Sequence, residues 1–180
     1  FDRRSKTNRV EAELITDMVF EHFQAYPNRS LGVVAFSVSQ QSLIERLIYK
    51  RRKELPNFEE FFSSDQAEPF FVKNLETVQG DERDVILFSV CYGPDRLGRI
   101  SLNFGPLNQF GGWRRLNVAV SRAREEMVVF TSMTGAMIDL SKTNSKGVAG
   151  LKAFLEFAEK GRTNLAISSN NLMTKKVGLG

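Results

Sequence analysis

Residues 85–90 read VILFSV, an apolar run with β-branched residues, interrupted by one serine. A strand with one wet face alternates apolar and polar residues; this run does not, so both of its faces are predicted to be buried. LGVVAF at 31–36 and MVVF at 127–130 repeat the pattern. Helical spacing of apolar residues fills the stretches between. Short buried strands alternating with helices predict an α/β chain whose mainly parallel sheet is covered on both sides, giving three layers.

Working outward, Val10, Leu14, Met18 and Val19 predict a helix ahead of the first run. Glu11 and Glu13 lie in its first turn, where the positive end of the helix favours acids, and Pro27 and Asn28 mark its stop. After the first run, SVSQQ (37–41) leads into a second helix with Leu43, Leu47 and Ile48 on one face and a basic cluster at 50–53; Ser39 is placed as its cap. A last helix holds Leu151, Phe154, Leu155 and Ala158. In the Gly- and Pro-containing connection 93–112, Ile100, Leu102 and Phe104 alternate with polar residues, which predicts a small hairpin. Residues 161–180, rich in Ser, Asn and Lys, read as a linker or terminal tail, leaving one folded domain over 1–160.

Composition narrows the function classes. The chain has 180 residues, 42% hydrophobic and 26% charged, the balance of one ordinary globular domain, and its 15 phenylalanines against one tryptophan predict a core built largely on Phe. No apolar run approaches the roughly 20 residues of a membrane helix, and no secretory signal pattern follows Phe1, so the expectation is a cytoplasmic piece of a longer polypeptide without membrane partners. One cysteine and one histidine exclude an intrachain disulfide and argue against a zinc site made by this chain; no metal ligands are assigned. Cys91, inside an apolar stretch, is predicted to be a buried thiol in a reducing compartment. The net charge of +4 is compatible with a nucleic-acid partner without being diagnostic of one.

Three segments carry chemistry. RRLNVAVSRAR (114–124), placed on one helix, puts Arg115, Ala119 and Arg122 on a shared face, because seven residues come close to two turns. Leu116, Val120 and Ala123 share another face that would anchor the helix to the sheet, and the small Ala119 would let a ligand approach between the two arginines. Taken alone, the segment reads more plainly as a surface helix pairing with Glu125 and Glu126. ETVQGDERD (76–84) precedes the central run; Gly80 permits a tight turn flanked by Gln79 and Glu82. SVSQQ, alone, is a capping turn.

In this order the three segments resemble motifs IV, V and VI of superfamily 1 helicases, in the branch of the nonsense-mediated-decay helicase and its DNA-processing relatives. Motif VI there resembles RRLNVALTRAR, from which this chain differs at Val120 and Ser121. Motif V runs acid, two residues, Gln, Gly, any residue, Glu, basic, Asp, as in Glu76 to Asp84; Val78 stands where an aromatic is common and Asp81 where a basic or polar residue is. Motif IV is the loosest match, with Gln40 at the family's glutamine. The surrounding wording resembles large bacterial helicase-like proteins, many with a nuclease-like domain after the motor.

The resemblance implies a RecA-like, P-loop-NTPase-type lobe, the second of two. Arg122 is then the arginine finger on the γ-phosphate and Glu82 the ribose contact. Gln79, Gly80, Arg115 and Gln40 are the further nucleotide contacts, Thr77 and Asn74 lie on the nucleic-acid side, and Arg124 suits a structural salt bridge. ATP and Mg²⁺ would be bound mainly by a first RecA-like lobe ahead of residue 1, since the chain holds no GxxxxGK[ST] loop. Implied partners are single-stranded nucleic acid, with DNA favoured, that first lobe, and a following nuclease-like domain. The alternatives are a non-catalytic nucleic-acid-binding or scaffold module with a lobe's fold, and an unrelated doubly wound enzyme, which would need a Gly-rich loop after its first strand.

Overall fold

The computed structural model describes residues 1–95, 97–160 and 173–178, the last stretch by its backbone alone. Along the chain come α1 (Arg9–Ala25), β1 (Leu31–Ala35), α2 (Val38–Glu54), β2 (Phe71–Asn74), β3 (Arg83–Ser89), α3 (Gly112–Val120), β4 (Ala123–Thr131), α4 (Lys146–Lys160) and β5 (Met173–Gly178). The sheet order is β2-β1-β3-β4-β5. The first four strands are parallel and β5 is antiparallel to β4.

The apolar runs become β1, β3 and β4, and their side chains divide by the period of two that a strand imposes. Val33, Ala35, Leu87, Val128 and Phe130 pack beneath α1 and α2, against Ile15, Val19, Phe20, Phe23, Ile44 and Ile48. Val34, Ile86, Phe88 and Val129 face the other way, onto Leu116, Ala119, Leu151 and Leu155 of α3 and α4. Helix, sheet and helix layers form the α/β sandwich of a RecA-like domain. Phe36, Phe88, Phe104 and Phe130 are among its largest completely buried side chains.

Several local expectations change. Ser37, not Ser39, caps α2, accepting from the Gln40 N–H, because the helix begins at Val38. Among the described residues of 93–112 no hairpin forms: a short 3-10 turn (Gly105–Asn108) buries Phe104 and Leu107, and Ile100 and Leu102 pack against that core from the side. Glu11 lies in the first turn of α1 as expected, and it is completely buried. Of the tail expected over 161–180, residues 161–172 and 179–180 lie outside the described residues, whereas Met173–Gly178 extends the sheet along β4. Among the described residues, no helix is long and apolar enough to cross a membrane.

Candidate functional site

α3 ends at Val120, because Ser121 turns its N–H back onto Asn117 and Ala119 and the chain enters β4 at Ala123. Arg122 therefore stands in the turn between helix and strand, not on the helix face predicted for it. Two main-chain bonds lock the turn: the Arg122 N–H donates to the Ala119 carbonyl (3.2 Å), and the Arg122 carbonyl accepts from the Arg83 N–H (3.1 Å). Its guanidinium folds over the helix end, where unpaired carbonyls and the negative pole of the dipole favour a cation. Nε donates to the Val118 carbonyl (2.8 Å) and Nη2 to the Ser121 hydroxyl (3.0 Å). Among the described residues no carboxylate lies within ion-pair distance of it, so its charge stays uncompensated.

Glu82 ends the loop that leads into β3. Arg83 pairs with Ala123, so Glu82 and Arg122 are set side by side at the starts of neighbouring strands. The Glu82 side chain is exposed, with Oε1 4.0 Å from Nη1 of Arg124. Arg124 sits on β4 rather than on a helix, and it makes the salt bridges expected of it. Its Nη2 meets Asp84 Oδ1 at 2.7 Å and the Ser30 hydroxyl at 3.1 Å, while both Nη atoms grip Glu68 at 2.5 Å. The arginine fork holds the Glu68 carboxyl down at about 2. Partial burial opposes ionisation of Asp84, but bonds from Arg124 and Ser30 outweigh it and keep that carboxyl below its ordinary value. With Glu68 and Asp84 engaged by this fork, Glu82 is the carboxylate left facing outward. Glu68 carried no signal in the sequence, since its role arises from a loop folding back across 56 residues to Arg124.

The other predicted residues divide. Gly80 has the positive φ of 89° that its turn requires, and Gln79 beside it is exposed. Val78, where an aromatic is common in the family pattern, is completely buried in the core. Thr77 is exposed at the other end of the loop, where its hydroxyl accepts from the Asn74 N–H (3.1 Å). Asn74 does not fit the nucleic-acid contact expected of it: it is 5% exposed, its amide donates to Gln41 (2.7 Å) and its carbonyl accepts from the Glu76 N–H (2.8 Å). Gln40 does not fit a nucleotide contact either. It is wholly buried, with its amide on the Asn8 carbonyl and the Ser89 hydroxyl and its oxygen on the Asn8 N–H, so every polar atom it has is engaged in the core. Ala119 is also completely buried, which removes the ligand gap imagined between Arg115 and Arg122. Arg115 reaches the carbonyls of Phe110 (3.3 Å) and Pro106 (3.5 Å) and braces the loop ahead of α3.

The N-terminal edge of β3 and β4 thus offers a fixed guanidinium suited to an anionic oxygen and a carboxylate suited to hydroxyls. A phosphate cradle of successive backbone N–H groups is a different arrangement, and no group of three or more His, Cys, Asp or Glu that could hold a metal occurs among the described residues. A profile of the family described as "AAA domain" matches residues 2–134, most of the chain. The chain belongs to the AAA domain family. This AAA domain is 40% identical over 134 residues to the "Uncharacterized ATP-dependent helicase MG140" of Mycoplasma genitalium, covering 73% of the chain and 12% of that protein. It is 36% identical over 177 residues to the MG140 homolog of Mycoplasma pneumoniae, covering 96% of the chain and 15% of that relative. The AAA domain therefore spans only a small fraction of the curated relatives that it matches. It is a helicase-like domain of RecA type, related to both.

Proposed function

We propose that this AAA domain is the second motor lobe of an ATP-dependent nucleic-acid helicase or translocase, of the superfamily 1 branch named above. The observation that carries the reading is the uncompensated guanidinium of Arg122 beside the outward carboxylate of Glu82, on a lobe without its own phosphate loop. Such a pair completes a nucleotide site from one side. Arg122 stabilises charge on the transferred phosphoryl group, Glu82 accepts from the ribose hydroxyls, and Gln79 and Gly80 form the turn between them and the strand-binding side. The site takes ATP with Mg²⁺, which the first RecA-like lobe of the same polypeptide holds and which neutralises phosphate charge when bound. Single-stranded nucleic acid, with DNA favoured, lies across both lobes near Thr77, and a nuclease-like domain is a further expected partner.

A finger acts by position: its charge must be fixed before the reaction, and the bond from Nε to Val118 fixes it. In the full-length protein, Arg122→Ala lowers nucleic-acid-stimulated ATP turnover on the order of 10³-fold or more while single-stranded DNA binding persists. Near-normal turnover in that variant removes the finger assignment. The present chain alone is expected to turn over no ATP.

A further inference from the structure

The most exposed large apolar side chain among the described residues is Phe110, at 97%, and Trp113, at 40%, follows three residues later in the first turn of α3. Burial does not hold that ring in place, yet the loop carrying it is firmly built. Gly111 takes a φ of 76°, and Gly112 lies so close to the Leu107 carbonyl that an added Cβ would stand 2.2 Å from that oxygen. Asn108 accepts from the Phe104 N–H (2.6 Å) and donates to the Leu102 carbonyl (2.8 Å). Arg115 grips the carbonyl of Phe110 itself. A ring pinned outward on a braced loop is a contact waiting for a flat partner.

Charge says which partner. No aspartate or glutamate occurs between Asp95 and Glu125, a stretch that contains Arg114, Arg115 and Arg122. The Arg114 guanidinium lies over the Trp113 ring, 5.4 Å from its centroid, and among the described residues neither Arg114 nor Arg115 has a carboxylate partner. Aromatic rings beside uncompensated arginines match a polyanion that carries flat rings of its own, in which a base stacks and the flanking phosphates meet the guanidinium groups. An apolar protein partner would use the rings and leave those charges unanswered. The loop also leaves β3 at the C-terminal end of the sheet, the same end at which β2 delivers Thr77.

We infer that Phe110, with Trp113 and Arg114, is a base-stacking contact for single-stranded nucleic acid, an inference that rests on the motor-lobe reading and assigns it a specific surface. Arg114 covers one face of the indole, so Phe110 presents the open ring, and Arg115 positions it.

Trp113 is the only tryptophan of the chain, so its fluorescence reports directly on this surface. The purified chain is titrated with a thymidine oligomer of about 20 nucleotides, long enough to cover one site, and with an abasic oligomer of equal length. The thymidine oligomer is expected to quench Trp113, and Phe110→Ala to weaken its binding by about five- to 150-fold, the loss of one stacked base, while weak abasic binding is unchanged. Equal quenching by the abasic oligomer, or thymidine binding indifferent to Phe110→Ala, overturns the stacking contact alone and leaves the motor-lobe reading standing. Absence of any nucleic-acid binding by the wild-type chain brings down the strand-binding part of that reading and this inference with it. Sedimentation covers the protein alternative: a dimer that Phe110→Ala dissociates, with thymidine binding intact, also overturns the contact.

Discussion

Glu11 is the side chain whose state should govern how this domain responds to pH. It is completely buried where α1 meets the C-terminal ends of β3 and β4, and its two oxygens accept from Asn8 Nδ2 (2.9 Å), the Ser132 hydroxyl (3.2 Å), the Ser89 hydroxyl (2.8 Å) and the Cys91 N–H (2.7 Å). Burial raises its carboxyl from 4.5 to about 7; the bonds from Ser89, Cys91 and Ser132 offset part of that rise. In the unfolded chain the proton leaves near pH 4.5, whereas the folded protein keeps it to about pH 7. The folded state thus binds more protons across that window, so this contribution is complete below pH 4.5 and is lost as pH rises to 7. The displacement corresponds to about 3 kcal/mol at 1.36 kcal/mol per pH unit. His22, whose buried ring is pushed to a lower value, tilts stability the opposite way, so the readout is a difference between two proteins. Urea unfolding of wild type and Glu11→Gln at half-unit steps from pH 4 to 8 should show the wild type losing ground relative to the variant between 4.5 and 7. A difference that is flat with pH refutes the buried-carboxyl account.

Three more substitutions test the frame of the site. Gly112→Ala drives a Cβ into the Leu107 carbonyl and should cost about 1–3 kcal/mol or more, whereas Gly111→Ala, with open space and only a left-handed backbone against it, should cost about 1 kcal/mol; equal thermal midpoints for the two would show that the loop yields. Arg124→Lys keeps the charge but removes the fork, so an NMR titration should find the Glu68 carboxyl moved up from about 2 toward its ordinary value. The stability that this depressed carboxyl contributes is present above pH 4.5 and fades as pH falls, and in the variant that acid-side loss should shrink; an unmoved Glu68 would show that the fork is not its cause.

The sheet was legible where strands are buried on both faces. Residues 31–36, 85–90 and 127–130 carry enough consecutive apolar residues to be read directly, and Pro27 stopped α1 close to its observed end at Ala25. β2 escaped because FVKN is four residues long, lies at a sheet edge and mixes apolar with polar side chains. The helix placed over 114–124 ran too far because periodicity over eleven residues cannot see that Arg83 will pair with Ala123 and draw the last residues into a strand. That pairing is also what brings Glu82 beside Arg122, a juxtaposition that comes from strand register and that motif order alone does not describe. Gln40 and Asn74 looked like contact residues because amides serve both purposes; a sequence does not reveal whether an amide's hydrogen bonds end on a ligand or on Asn8 and Gln41.

α3 has one more mechanical consequence. Its nine residues make a rod about 13 Å long, with the pinned aromatic corner at one end and the Val118 carbonyl that steadies Arg122 at the other. A rod so short does not bend appreciably, and Leu116 and Ala119 seat it firmly on the sheet. Pressure applied at Phe110 would therefore reach the Arg122 turn as a displacement of similar size, with little taken up as slack along the way.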